Sequence, residues 1–201
     1  MAAGQPYFDE CLVTFLSRCS ALGLPIEDSA DNGSVTLHQI DPGELSPGEF
    51  SWQVRNEVEA GANVVVIDSL NGYINAMPEE RFLTIQLHEI LSYMNQMGVA
   101  SFLIVAQHGL LGEGMRSPVD TSYLADSVLL LRYFEARGEI HKAISVLKKR
   151  SGSHEHSIRE LIFSSDGISV GEPLREFSGI LTGVPHFEGT TERLTATGEA
   201  K

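Results

Sequence analysis

Six residues, Val64-Val65-Val66-Ile67-Asp68-Ser69, constrain the fold of this chain more than any other segment. Four consecutive β-branched residues leave no polar face, so they read as a strand buried on both sides, the usual state of a parallel strand. Parallel strands need crossover connections, and the covering layers are helices. A carboxylate that finishes such a strand falls at its carboxyl end, in the crevice where open α/β sheets bind ligands. Asp68 is therefore the first candidate site residue.

The flanking sequence fits this architecture. Glu10 to Leu22 puts Leu12, Phe15, Leu16, Cys19 and Leu22 on one helical face, ended by Gly23-Leu24-Pro25. Val35 to Ile40 alternates as a strand. Ser46-Pro47 opens a helix with Phe50, Val54 and Val58 at four-residue intervals. After Asp68, a helix beginning at Pro78 carries Phe82, Ile85, Ile90, Met94 and Met97, and Gly98 stops it. Ser101–Ala106 and Ser127–Tyr133 read as two further apolar strands of the parallel sheet, separated by a Gly-, Ser- and Pro-rich loop over 111–122. Beyond the Arg137-Gly138 turn, Ile140–Lys149 alternates as an exposed edge strand, and Ile158–Phe163 pairs with it as a hairpin. The expected fold class is α/β: a mostly parallel sheet flanked by helices, with C-terminal antiparallel strands. Residues 1–187 form the domain, and 188–201 are small and polar enough to be a disordered tail.

Composition narrows the function classes. The net charge of −13 argues against nonspecific binding to nucleic acid or an acidic membrane, which needs a basic surface. No apolar run approaches the roughly 20 residues of a membrane-spanning helix. Cys11 and Cys19 fall on one helix, where eight residues rise roughly 12 Å, too far for a disulfide. Two buried thiols fit a reducing cytoplasm.

Several segments, taken in order, resemble the KaiC-like branch of the RecA-type P-loop ATPases from about Tyr7 to Phe187. They are Tyr7-Phe8-Asp9-Glu10, the strand ending at Asp68, Gln107-His108, Leu124 through Glu139, Lys148-Lys149-Arg150-Ser151-Gly152-Ser153-His154, Leu174-Arg175-Glu176-Phe177 and Gly179 through Pro185. The resemblance implies ATP and Mg²⁺ as cofactors, a RecA-like sheet, clock-protein-like signalling and a hexameric homo-oligomer. It implies that Glu10, beside Asp9, activates the attacking water, that Asp68 holds Mg²⁺ through ATP, and that Gln107 senses the γ-phosphate. It also implies that Lys148 and Arg150, with Ser153 and His154, reach the nucleotide of a neighbouring subunit.

The residues by themselves leave alternatives open. Asp9-Glu10 equally suits the amino terminus of a helix, where acids complement the dipole. Lys148 and Arg150, two apart on a strand, leave by one face and suit a phosphate, or else a solvated edge where lysines block unwanted pairing. His154-Glu155-His156 offers metal ligands but lacks a third partner. Ser122 lies where the clock proteins of this family carry an autophosphorylated serine, with Tyr123 here beside it in place of a threonine.

One element of the family pattern is absent. The 201 residues contain no G-x-x-x-x-G-K-[ST], the loop whose backbone amides and lysine cradle the phosphates. Ala2-Ala3-Gly4-Gln5 resembles the tail of the helix that follows that loop, so the expected sheet is missing the P-loop strand. Its loss would leave apolar strand edges near Ser101–Ala106 and Ser127–Tyr133. The expectation is an ATPase domain inactive alone. The alternative is a non-catalytic subunit that assembles with intact KaiC-like relatives and acts in trans through Lys148 and Arg150.

Overall fold

A computed structural model describes residues 2–7, 11–40, 46–75, 83–106, 124–136, 138–182 and 185–188. The chain divides into two compact units, the first comprising 1–106 with 165–167 and the second 107–164 with 168–201.

The first unit contains a four-stranded parallel sheet. Its strands are β1 (Ala2–Tyr7), β2 (Val35–Gln39), β3 (Ala62–Asp68) and β4 (Ala100–Ile104), in the order β2-β1-β3-β4. Helices α1 (Leu12–Ala21) and α2 (Ile26–Asp31) connect β1 to β2, and α3 (Pro47–Glu59) connects β2 to β3. Helices α4 (Leu70–Asn75) and α5 (Leu83–Gln96) lie between β3 and β4. Side-chain alternation on β2 shows that helices cover both faces. Leu37 packs with Phe15 and Cys19 of α1 and Ile26 of α2, whereas His38 and Ile40 line a cavity with Phe50 and Val54 of α3. Val65 of β3 joins that cavity, so Val65 and Ile67 face α3 while Val64, Val66 and Asp68 face the other way.

Local chemistry explains the helix ends. Ser46 caps α3 by a reciprocal capping box with Glu49, followed by Pro47 at the first helical position. The predicted stripe Phe50, Val54, Val58 is buried as expected. On α5 the buried stripe is Leu83, Leu87, Ile90 and Met94, spaced four, three and four. Ile85 and Met97, assigned to that face from the sequence, are exposed: Ile85 follows Leu83 by two residues and so lies on another side of the helix, and Met97 lies past its last residue, Gln96. Cys11, expected in the helix and buried, is instead the exposed residue preceding α1; Cys19 is buried, and neither forms a disulfide.

Ala2–Gln5, expected to end a helix, belongs to the strand Ala2–Tyr7. That strand pairs in parallel with β2 on one side and β3 on the other, from Ala3↔Val35 to Tyr7↔Gln39 and from Ala2↔Ala62 to Tyr7↔Asp68. A segment flanked by two strands satisfies its backbone groups on both sides only as a third strand.

The second unit contains a sheet ordered β5 (Ser127–Ala136), β6 (Glu139–Lys149), β7 (Arg159–Ser164), β8 (Gly167–Pro173). Ser127–Tyr133 thus belongs to an antiparallel sheet, not the parallel one. A long hairpin binds β5 to β6 from Ser127↔Lys149 to Ala136↔Glu139, around Gly138 at φ 77°. Ile140–Lys149, expected at an edge, lies between β5 and β7. Phe134, Ala143 and Ile180 form the core of this unit, with Ile158, Leu174 and Phe177 against it. β9 (Phe177–Ser178) and β10 (His186–Phe187) pair antiparallel, flanking a 3₁₀ turn at Ile180–Thr182.

Among the described residues, β4 and β5 each terminate their own sheet. Phe102 and Ile104 of β4 and Leu129, Leu131 and Tyr133 of β5 are exposed.

Candidate functional site

The order β2-β1-β3-β4 contains one topological switch point. From β1 the chain crosses to β2 on one side, then returns to β3 on the other. The connections from the carboxyl ends of β1 and β3 therefore run to opposite sides, the arrangement at which doubly wound sheets bind ligands. Asp68 ends β3 at that point, with Tyr7 opposite on β1 and Ile104 opposite on β4.

Asp68 is partly buried and shares its sheet face with Val64 and Val66. Across β4 the same face carries Phe102 and Ile104, both exposed, so it is open there among the described residues. The peptide between Asp68 and Ser69 is cis. Ser69 is buried and its Oγ accepts a hydrogen bond from the Gly72 N–H at 3.2 Å, capping α4. Leu70 and Tyr73 anchor α4 in the core, with the Tyr73 ring 4.9 Å from that of Phe50. A single acidic side chain suits Mg²⁺ in a nucleotide site, because the ion takes one or two carboxylates and fills its remaining positions with phosphate oxygens and water. No group of three or more His, Cys, Asp or Glu able to hold a metal occurs among the described residues.

Asp9, Glu10 and Gln107 lie outside the described residues, as do His108, Ser122 and Tyr123. In sequence, Asp9-Glu10 follows Tyr7 by two residues and Gln107 directly follows Ala106.

The sequence offered little sign of Asn71. Its carboxamide makes two reciprocal bonds to one residue 35 positions away: Nδ2 donates to the Ala106 carbonyl at 2.8 Å, and Oδ1 accepts from the Ala106 N–H at 2.9 Å. The one local hint is an Asn, a poor helix former, in the first turn after a strand.

The second group of candidates sits at the end of β6. Lys148 lies on the strand, and Arg150 lies just beyond it. Both turn to the same short stretch: Lys148 Nζ donates to the Ala125 carbonyl at 2.9 Å, and Arg150 pairs with the Asp126 carboxylate at 2.9 Å. Lys149 Nζ donates to the Ser153 carbonyl at 3.3 Å. The His154 and His156 rings lie 4.4 Å apart, centre to centre. Between them, Glu155 is held down to a pKa of about 2, chiefly by hydrogen bonds from the Ser157 hydroxyl and backbone N–H, with Arg159 adding to the effect. Among the described residues β6 pairs with β7 only at Ala143 and Ile144, so the end of β6 that carries Lys148 is paired to β5 alone.

A family model described as KaiC, an ATPase family, matches residues 8–175. The circadian clock protein KaiC3 of a Synechocystis species is 32% identical over 143 residues, covering 69% of this chain and 28% of its own length. The circadian clock oscillator protein KaiC of Parasynechococcus marenigrum is 29% identical over 187 residues, covering 92% of this chain and 36% of its own length. The chain thus spans about a third of the length of these relatives.

Proposed function

Because the chain belongs to the KaiC family of ATPases, we propose that it carries the metal-side portion of an ATP site together with a trans-acting strand end. The observation that supports this most is Asp68 at the carboxyl end of β3, opposite Tyr7, at the switch point of the parallel sheet. In this reading Asp68 holds Mg²⁺ through ATP, Asp9-Glu10 supplies the carboxylate that orients and deprotonates water, and Gln107 senses the γ-phosphate. Bound Mg·ATP supplies the transferable phosphoryl group and neutralises charge on its oxygens.

Most phosphate contacts in such sites come from the amides and lysine of the G-x-x-x-x-G-K-[ST] loop, which these 201 residues do not contain. The 201-residue polypeptide alone therefore neither binds Mg·ATP at micromolar concentration nor turns it over. Isothermal titration and a phosphate-release assay test this, and turnover by the polypeptide alone overturns it.

A second reading, a subunit acting in trans on intact relatives, is favoured by the exposure of the Arg150–Asp126 pair, 58% and 69%. An exposed pair contributes at most about 1 kcal/mol, so Arg150 exchanges Asp126 for a phosphate at small cost. Lys148, Ser153 and His154 complete that surface. Adding the chain to a KaiC-family ATPase that carries the phosphate loop changes the ATPase rate, and Arg150→Met removes the change. No co-elution and an unaltered rate would sink the trans reading. The partners in either case are copies of this chain or KaiC-like relatives, and the net charge of −13 weighs against nucleic acid.

A further inference from the structure

We propose that Asn71 is a positioning residue whose carboxamide forms the last rung of the β3–β4 pairing and fixes the carboxyl end of β4 beside Asp68. The proposal concerns a residue outside the family-derived set; its bearing on nucleotide rests on the reading of Asp68 given above.

Backbone pairing between β3 and β4 runs from Val64↔Ala100 to Asp68↔Ile104 and stops there. Beyond Asp68 the chain turns through Ser69 into α4, and Ala106 lies two residues past Ile104, the last β4 residue paired with β3. A strand end left without a partner frays. Asn71 replaces the missing partner: one planar amide donates to the Ala106 carbonyl and accepts from its N–H, as a neighbouring strand residue would. Only one orientation of the amide satisfies both bonds, which assigns Oδ1 and Nδ2.

The grip is rigid because its base is rigid. Asn71 is 7% exposed and sits between Leu70 and, two residues on, Tyr73, each 1% exposed. The Ser69 hydroxyl holds the first turn of α4 through the Gly72 N–H. Ala106 is therefore tied to the same turn that follows Asp68.

The test uses the full chain labelled with ¹⁵N and ¹³C, as wild type, Asn71→Ala and Asn71→Asp, at neutral pH. Alanine removes both bonds, so the Ala106 amide exchanges about tenfold faster, and its carbonyl ¹³C resonance moves to the position of an unbonded carbonyl. Aspartate is nearly isosteric and keeps the acceptor but not the donor. The Ala106 amide then stays protected while the carbonyl resonance shifts, a split between the two atoms that a role in packing alone would not produce. The Ile67 amide, next to Asp68 in β3, is unchanged in all three proteins and reports that the sheet is intact. Unaltered Ala106 exchange in Asn71→Ala, or the same amide exposure in Asn71→Asp as in Asn71→Ala, overturns the proposal.

Millimolar Mn·ATP supplies the second arm. In wild type it broadens the Ile67 and Ala106 amides, and Asp68→Asn abolishes both effects. In Asn71→Ala the Ile67 broadening persists and that of Ala106 falls at least twofold. Equal broadening of Ala106 in Asn71→Ala and wild type counts against positioning. No broadening in wild type removes the reading of Asp68 as the metal-side residue, and the exchange pattern then decides Asn71 by itself.

Discussion

Replacing Lys148 by Met separates what this side chain does within its own chain from what it does for a neighbour. Met keeps most of the unbranched stem and its packing, and removes only the charge and its donors. The Lys148 Nζ–Ala125 O bond is 2.9 Å long and partly buried, so its loss removes a charge-assisted hydrogen bond. Bonds of that kind contribute about 1.5–3 kcal/mol, and the partner carbonyl is left without this donor. Arg150 offers the control, since its pair with Asp126 is exposed on both sides and contributes about 0–1 kcal/mol. Lys148→Met should therefore cost about 2 kcal/mol and Arg150→Met less than about 1 kcal/mol. In urea, with an m-value of about 2 kcal/mol/M, the Lys148 variant unfolds at a midpoint about 1 M lower. Arg150→Met moves the midpoint by less than about 0.5 M. In the mixed ATPase assay both variants lose the effect on a phosphate-loop-bearing relative, so stability and trans action are read independently. Equal midpoints for wild type and Lys148→Met would show that the Ala125 contact does not hold the entry to β5, and the assignment of a structural role to Lys148 would fail.

Three further outcomes are expected. Met94→Ala, at a position 0% exposed, destabilises by about 2–5 kcal/mol, whereas Met97→Ala, 53% exposed, changes stability by less than about 1 kcal/mol; similar urea midpoints for the two variants would contradict the observed face of α5. Glu155 titrates at about 2, followed by its side-chain carboxyl ¹³C shift. Because its pKa lies below the unfolded value near 4.5, its contribution to stability is present above that value and is lost as pH falls toward 2. Ser157→Ala raises the midpoint, and an ordinary midpoint in wild type would rule out the Ser157 hydrogen bonds. A thiol reagent labels exposed Cys11 rapidly in the native protein and buried Cys19 only on unfolding; modification of both at one rate would contradict the packing of α1.

The elements that could be read from residues were those with a strong local period. The strand ending at Asp68 and the stripe Phe50, Val54, Val58 were explicit in the sequence, because burial on two faces or on one helical side imposes a pattern within a few residues. Short elements were missed where that pattern is short: α2 and α4 have six residues each, less than two full turns. The face of α5 was misread because Leu, Ile and Met populate several sides of it, and tertiary contact selects among them. Of the site, Asp68 was legible because an acid ending an apolar strand has few other roles, and Lys148 with Arg150 because cations two apart share a side. The partners those two cations take, Ala125 and Asp126, lie more than twenty residues back and leave no local trace.

By itself, then, the sequence determined the buried strand and its terminal carboxylate, most of the longer helices, the hairpin turn at Gly138, and the membership suggested by ordered segments. These are near-neighbour effects, written in side-chain period, capping and turn chemistry. Tertiary structure alone decided pairing. It made Ala2–Tyr7 a central strand, put β5 in an antiparallel sheet with β6 inside it, and set the switch point at Asp68. It also gave Asn71 its role, because a side-chain amide becomes a strand partner only when folding brings a backbone 35 residues away within 3 Å. Hydrogen-bond satisfaction is a constraint on the whole fold, and no local stretch of sequence records which distant group will meet it.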